Sequence, residues 1–114
     1  QRLPRLIGET RAKQLIFTGQ TISAQTALEW GLINSVQTAG TLLEETLALA
    51  AAIAQNSPFA VSRAKRSVNG GRELLPEEAL EWERDLFGEC GDSRDRREGM
   101  TAFIEKRPRV FTGE

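Results

Sequence analysis

The chain has 114 residues, a net charge of −1 and 27% charged side chains, enough for one domain that buries roughly two-thirds of its unfolded surface. That charge gives no whole-molecule attraction to nucleic acid or acidic membrane, and the longest apolar run, residues 47–54, is too short to cross a bilayer. With no histidine and one cysteine, Cys90, the chain holds no Ser-His-Asp or Cys-His nucleophile system, no Cys/His zinc site and no internal disulfide.

The elements follow in chain order. Residues 3–7 form a short turn-like helix interrupted by Pro4 and ended by Gly8. Glu9 or Thr10 opens a helix through Ile16, closed by Gly19. Ser23 caps the next helix, from Ala24 to Trp30, and Gly31 terminates it. Residues 32–36 alternate apolar and polar side chains and read as one short strand, whose backbone groups need a partner sheet. Thr41 and Glu44 have capping-box spacing and open a long apolar helix to Gln55. Its stripes, Leu43, Leu47, Ala50 and Ala54 beside Leu42, Leu49 and Ile53, are wide enough to pack on two sides.

Ser57 and Pro58, a cap followed by proline, start a helix through Asn69 with Val61, Ala64 and Val68 on its inner face. Gly70 and Gly71 end it and lack the strand-before-helix setting of a phosphate loop. Pro76 opens a further long helix, on which Ala79, Trp82 and Leu86 form one ridge and Leu80 and Phe87 another. Gly88 and Gly91 loosen its end. Asp92 or Ser93 caps the last helix, and Pro108 closes it after Lys106 and Arg107. The fold class is mainly α: five to six helices with at most one short strand, and more apolar surface than one small bundle buries.

Several strings lie in a fixed order along the chain: Q-R-L-P-R-L-I-G at 1–8, L-I-F-T-G-Q-T-I-S-A-Q at 15–25, then Ala27, Gly31-Leu32 and Asn34-Ser35-Val36. Asn56-Ser57-Pro58 and Ala64-Lys65 follow, and D-R-R-E-G-M at 95–100 leads into Phe103, Glu105, Lys106 and Arg107. Together they resemble the C-terminal part of the enoyl-CoA hydratase/isomerase, or crotonase, family, with its patterns G-G-T-Q-R-L-x-R-x-x-G, L-x-x-T-G-x-x-I-S-A and N-S-P…A-K. The resemblance covers essentially the whole chain.

The resemblance implies residues 1–114 are a single helical segment, the C-terminal trimerisation region of a crotonase-like fold whose N-terminal ββα spiral is absent. It implies a homo-oligomer, trimer or hexamer, acting on an acyl-CoA substrate, with coenzyme A as part of that substrate and no separate cofactor. In the family, two backbone N–H groups polarise the thioester carbonyl, and in hydratases two glutamates activate water. All four precede Gln1, so the chain is expected to be catalytically inactive alone, with no catalytic residue and no metal site. Phe103 and Lys106 match positions that approach the adenine and phosphate end of coenzyme A bound to an adjacent subunit. No nucleic-acid or membrane partner is expected, and the compartment implied is the cytoplasm, or the mitochondrial matrix in a eukaryote.

Other readings stand beside these. Lys106 also suits the C-terminal end of a helix dipole, and Phe103 with Met100 and Ile104 also suits a core. Glu77, Glu78, Glu81 and Glu83 read as solvated surface, and Glu98 as serving its helix's first turns or a local ion pair. The basic clusters at 63–66 and 94–97 lack interleaved aromatics for RNA, Cys90 lacks basic activation, and Trp30 and Trp82 read as packing residues. Isomerase, hydrolase and decarboxylase relatives share these strings, and a stand-alone helical oligomerisation or binding module derived from a crotonase is the reading from a different class.

Overall fold

The computed structural model describes residues 1–114 as seven helices and no strand. They are α1 (Arg2–Ile7), α2 (Glu9–Thr18), α3 (Ala24–Glu29), α4 (Leu42–Ala54), α5 (Pro58–Gly71), α6 (Pro76–Gly91) and α7 (Arg94–Glu105). The count exceeds five or six because residues 2–7, despite Pro4, complete a helix of their own. The chain divides into two compact units, Gln1–Glu45 and Thr46–Glu114.

In the first unit α1 packs on α2 across Gly8. Gly19 and Gly31 adopt left-handed backbone where α2 and α3 end, which glycine does without a Cβ penalty. Ser23 caps α3 by accepting from the Thr26 N–H at 3.0 Å. Ile7, Ala12 and Ala27 are its buried apolar residues, and the Arg11 guanidinium lies 5.3 Å from the centre of the Trp30 ring.

The expected strand at 32–36 is not formed. The Leu32 N–H turns back to donate to the Ala27 carbonyl at 2.9 Å, and Gly31 N–H donates to Leu28. These bonds complete the C-terminal cap of α3, so the first ladder donor is already committed, and no second strand pairs the rest.

α4 is preceded by an isolated turn in which the Thr41 and Leu42 N–H groups both donate to the Thr38 carbonyl. It buries none of its residues, so the two apolar stripes expected to pack are uncovered.

In the second unit α5 packs on α6. Ser57 caps α5 by accepting from Ala60 N–H at 3.1 Å, with Pro58 in its first turn. α5 does not stop at Asn69 but runs through both glycines to Gly71. The neighbouring helix explains why: a Cβ on Gly70 would stand 2.9 Å from Trp82 Nε1, and one on Gly71 would stand 3.6 Å from Ala79 Cβ. These glycines are points of close approach within a helix pair. The ridge Ala79, Trp82 and Leu86 faces α5, with Leu86 buried, whereas Leu80, Phe87 and Val68 are exposed. α6 starts at Pro76, where the Glu78 carboxylate accepts from Leu75 N–H at 3.1 Å. Ser93, not Asp92, caps α7, accepting from Arg96 N–H at 3.1 Å. No helix is long and apolar enough to cross a membrane.

Candidate functional site

The site is built on α7 and the tail that follows it. α7 ends at Glu105, short of the expected Arg107, because Lys106 takes left-handed backbone with φ 54°. Arg107 N–H then donates to the Ala102 carbonyl at 3.0 Å, a six-to-one bond that turns the chain sharply back. The returning tail is fixed at two carboxylates on α7.

Asp95 is the inner anchor. Its side chain is buried and accepts from the Ser57 hydroxyl at 2.5 Å, from Thr112 N–H at 2.8 Å and from Gly113 N–H at 3.1 Å. Burial works to raise its pKa, but the Ser57 hydroxyl and the two tail amides together outweigh it and hold the carboxyl below its ordinary value. Its own N–H donates to the Glu114 carbonyl at 3.0 Å.

Glu98 is the outer anchor. Arg107 meets it bidentately at 2.6 and 2.7 Å, and Val110 N–H adds a bond of 2.9 Å. The Arg107 hydrogen bonds and then the Val110 amide hold the Glu98 carboxyl down at about 2, and Glu98 with Glu105 raises Arg107 further above its ordinary value. Glu98 therefore makes an ion pair across the turn.

Between these anchors Phe111 lies against Gly99, where a Cβ would be 3.5 Å from the ring. Two grooves result. One, of about 360 Å³, has Asp95, Arg96, Met100, Phe103 and Phe111 among its walls. The other, of about 270 Å³, lies between Ala102, Phe103, Arg107, Arg109 and Phe111.

Phe103 borders both grooves and is 85% exposed, with Met100 and Ile104 also exposed, so these three do not form a core. Lys106 is exposed on the same final turn, and its ammonium has neither ion pair nor hydrogen bond. Its side chain is not part of either groove's wall. Arg109, stacked 5.6 Å from the Phe111 centroid, supplies a cation there that the sequence pattern did not single out. Asp95, Ser57 and Phe111 were also missed as a unit. Ser57 and Asp95 stand 38 residues apart, and no local pattern in the sequence marks Asp95 as a buried acid.

The arrangement suits binding rather than bond-making. Both carboxylates are fully engaged in holding the tail, while an aromatic ring and the Lys106 ammonium stand free on one helix turn.

The sequence profile of the enoyl-CoA hydratase/isomerase family matches residues 1–114. The chain is 45% identical over 107 residues to the short-chain-enoyl-CoA hydratase of Clostridium acetobutylicum, covering 94% of this chain and 41% of that one. It is 41% identical over 111 residues to the mitochondrial enoyl-CoA hydratase of Pongo abelii, covering 97% of this chain and 38% of that protein. The crystal structure of an enoyl-CoA hydratase from Bacillus anthracis superposes with a TM-score of 0.97 at 43% identity, over 100% of this chain and 44% of that one. The chain thus spans about two-fifths of the length of the curated relatives it matches, in their C-terminal part.

Proposed function

The chain belongs to the enoyl-CoA hydratase/isomerase family, and on that premise we propose that it is the C-terminal helical part of an enzyme that hydrates trans-2-enoyl-CoA to 3-hydroxyacyl-CoA. In that reaction water adds across the C2–C3 double bond, its oxygen bonding to C3 and a proton going to C2. Groups outside these 114 residues carry out the addition. This chain contributes subunit contacts in a homotrimer or hexamer and one edge of the coenzyme A site, in the cytoplasm or a mitochondrial matrix. Coenzyme A enters as part of the substrate.

The observation that carries this reading is the free pair on the last turn of α7, in a chain matched over its whole length. The Phe103 ring suits a purine face, and the Lys106 ammonium suits phosphate oxygens.

Two measurements test it. The isolated 114-residue chain is expected to give no hydration of crotonyl-CoA, and measurable turnover would remove the proposed division of labour. In the complete enzyme, Phe103→Ala and Lys106→Ala should each raise KM for crotonyl-CoA about tenfold with kcat changed far less, the signature of weakened ground-state binding. An unchanged KM in both variants would remove these two residues from the coenzyme A site.

A further inference from the structure

Between α5 and α6 lies a groove of about 510 Å³ that shares no wall residue with the two beside Phe103. Ser62, Arg63, Lys65, Arg66, Asn69 and Trp82 form it. Its cationic side is organised. The Arg63 guanidinium stacks 4.1 Å from the centre of the Phe59 ring, and its Nε donates to Glu89 at 2.5 Å. Arg66 stands 5.5 Å from the centre of the Trp82 ring and reaches the same Glu89 carboxylate only at 4.0 Å. Lys65 is exposed and has no ion-pair or hydrogen-bond partner. Glu89 is thus shared between Arg63 and Arg66 while Lys65 stands unpaired beside them, so the three cations carry two charges more than the one carboxylate that meets them.

The aromatic side is organised too. Trp82 is half-buried, its Nε1–H points to the Arg66 carbonyl at 3.4 Å, and the missing Cβ of Gly70 leaves the space the indole edge occupies. The indole is thus held by its neighbours before anything binds. Most of the remaining wall is aliphatic arginine and lysine stem, which is apolar surface beneath a charged rim. A basic face that merely repels its own charges needs neither a fixed indole nor an apolar floor. The groove holds one aromatic ring and the whole chain carries a net charge of −1, which fits a small ligand and not a nucleic-acid strand.

We propose that this groove binds a small organic anion. The ligand's apolar body rests on Trp82 and the stems of Arg63 and Arg66, and its carboxylate or phosphate monoester meets Lys65 and Arg66. Arg63, committed to Glu89 and Phe59, is wall and not ligand partner.

The test uses the Trp82 indole Nε1–H resonance in a ¹⁵N-correlated spectrum of the complete enzyme, assigned by its loss in Trp82→Phe, with Trp30 as internal control. Phenyl phosphate and benzoate are titrated as probes, with benzyl alcohol and inorganic phosphate as the uncharged and the apolar-free controls. A saturable shift of Trp82 alone with either probe supports the proposal, and the tighter probe identifies the headgroup. Both controls should bind about tenfold more weakly. Lys65→Ala and Arg66→Ala should each weaken the better probe about fivefold, with Lys65→Arg restoring it, and added salt should weaken it in the unaltered enzyme. Since Arg66→Ala also strips a neighbour from the Trp82 ring, the salt titration and Lys65→Ala decide the matter on their own. No saturable Trp82 shift, equal binding of benzyl alcohol, or affinity indifferent to both Lys65→Ala and salt would overturn the proposal.

Discussion

Asp95 ties together parts of the second unit that are far apart in the chain. It joins the cap of α5, through Ser57, to the last residues of the chain. A buried carboxylate persists only where its lone pairs are met, and here one hydroxyl and two amides meet them. Asp95→Asn keeps the shape but turns one acceptor into a donor. It should lower the melting temperature by several degrees and speed amide exchange at Thr112 and Gly113, while exchange in α6 stays protected. Ser57→Ala should cost about 1 kcal/mol through removal of the α5 cap alone, and more because Asp95 is then deprived of its hydroxyl donor. Acid should act on the same tail. Asp95 and Glu98 both titrate below their ordinary values in the folded chain, so the released tail takes up protons more readily than the docked one. Docking is intact above the ordinary Glu98 value of 4.5 and is lost as the pH falls toward about 2. Exchange at the Val110 amide across that window measures it, and Glu98→Gln should flatten the profile. Protection that stays constant through the window would contradict the assignment.

The contrast between Gly70 and Gly71 tests helix packing at the scale of the element. Alanine in a helix gains up to about 1 kcal/mol over glycine. At Gly71 the added methyl meets Ala79 at ordinary van der Waals distance, so Gly71→Ala should stabilise by about 0.5 kcal/mol. At Gly70 the methyl collides with the Trp82 indole, and Gly70→Ala should forfeit the gain and move the Trp82 Nε1–H resonance. A higher melting temperature for Gly70→Ala with an unmoved indole would contradict the close approach. The same pair explains what was legible in the sequence. Ser23, Ser57 and Ser93 announced their helices because a cap is a bond between residues three apart. Gly19 and Gly31 likewise announced ends. Gly70-Gly71 marks the end of α5, but as its last helical residues and not as a left-handed cap, and the reason for glycine at 70 lies on another helix. Residues 32–36 looked like a strand because alternation over five residues is weak beside a helix cap that commits the first amide.

At the scale of the whole molecule the dominant fact is how little is buried. Ile7, Ala12, Ala27, Leu86 and Ala102 are the buried apolar residues, three of them alanines, and no large side chain is completely enclosed. The sequence indicates a surplus of apolar surface, and the family strings single out Phe103 and Lys106 as the expected contacts. Arg109 and Phe111 stayed invisible because they reach the site only through the left-handed turn at Lys106, which a lysine does not advertise. The surplus concentrates on α4, where Leu43 is 70% exposed, Leu47 59% and Ile53 49%. Exposed apolar area on that scale favours association, since each buried leucine side chain is worth about 2 kcal/mol. The isolated chain should therefore self-associate as its concentration rises, and sedimentation velocity reads this directly. Leu43→Lys with Leu47→Lys should suppress association without lowering the melting temperature, because neither side chain contributes to a core in the single chain. The complete enzyme should respond oppositely, losing stability or assembly, if α4 is covered there by the rest of the protein or by a neighbouring subunit. A monodisperse monomer that melts cooperatively, with α4 indifferent to both lysines, would instead favour a self-sufficient helical module over a part of a larger enzyme.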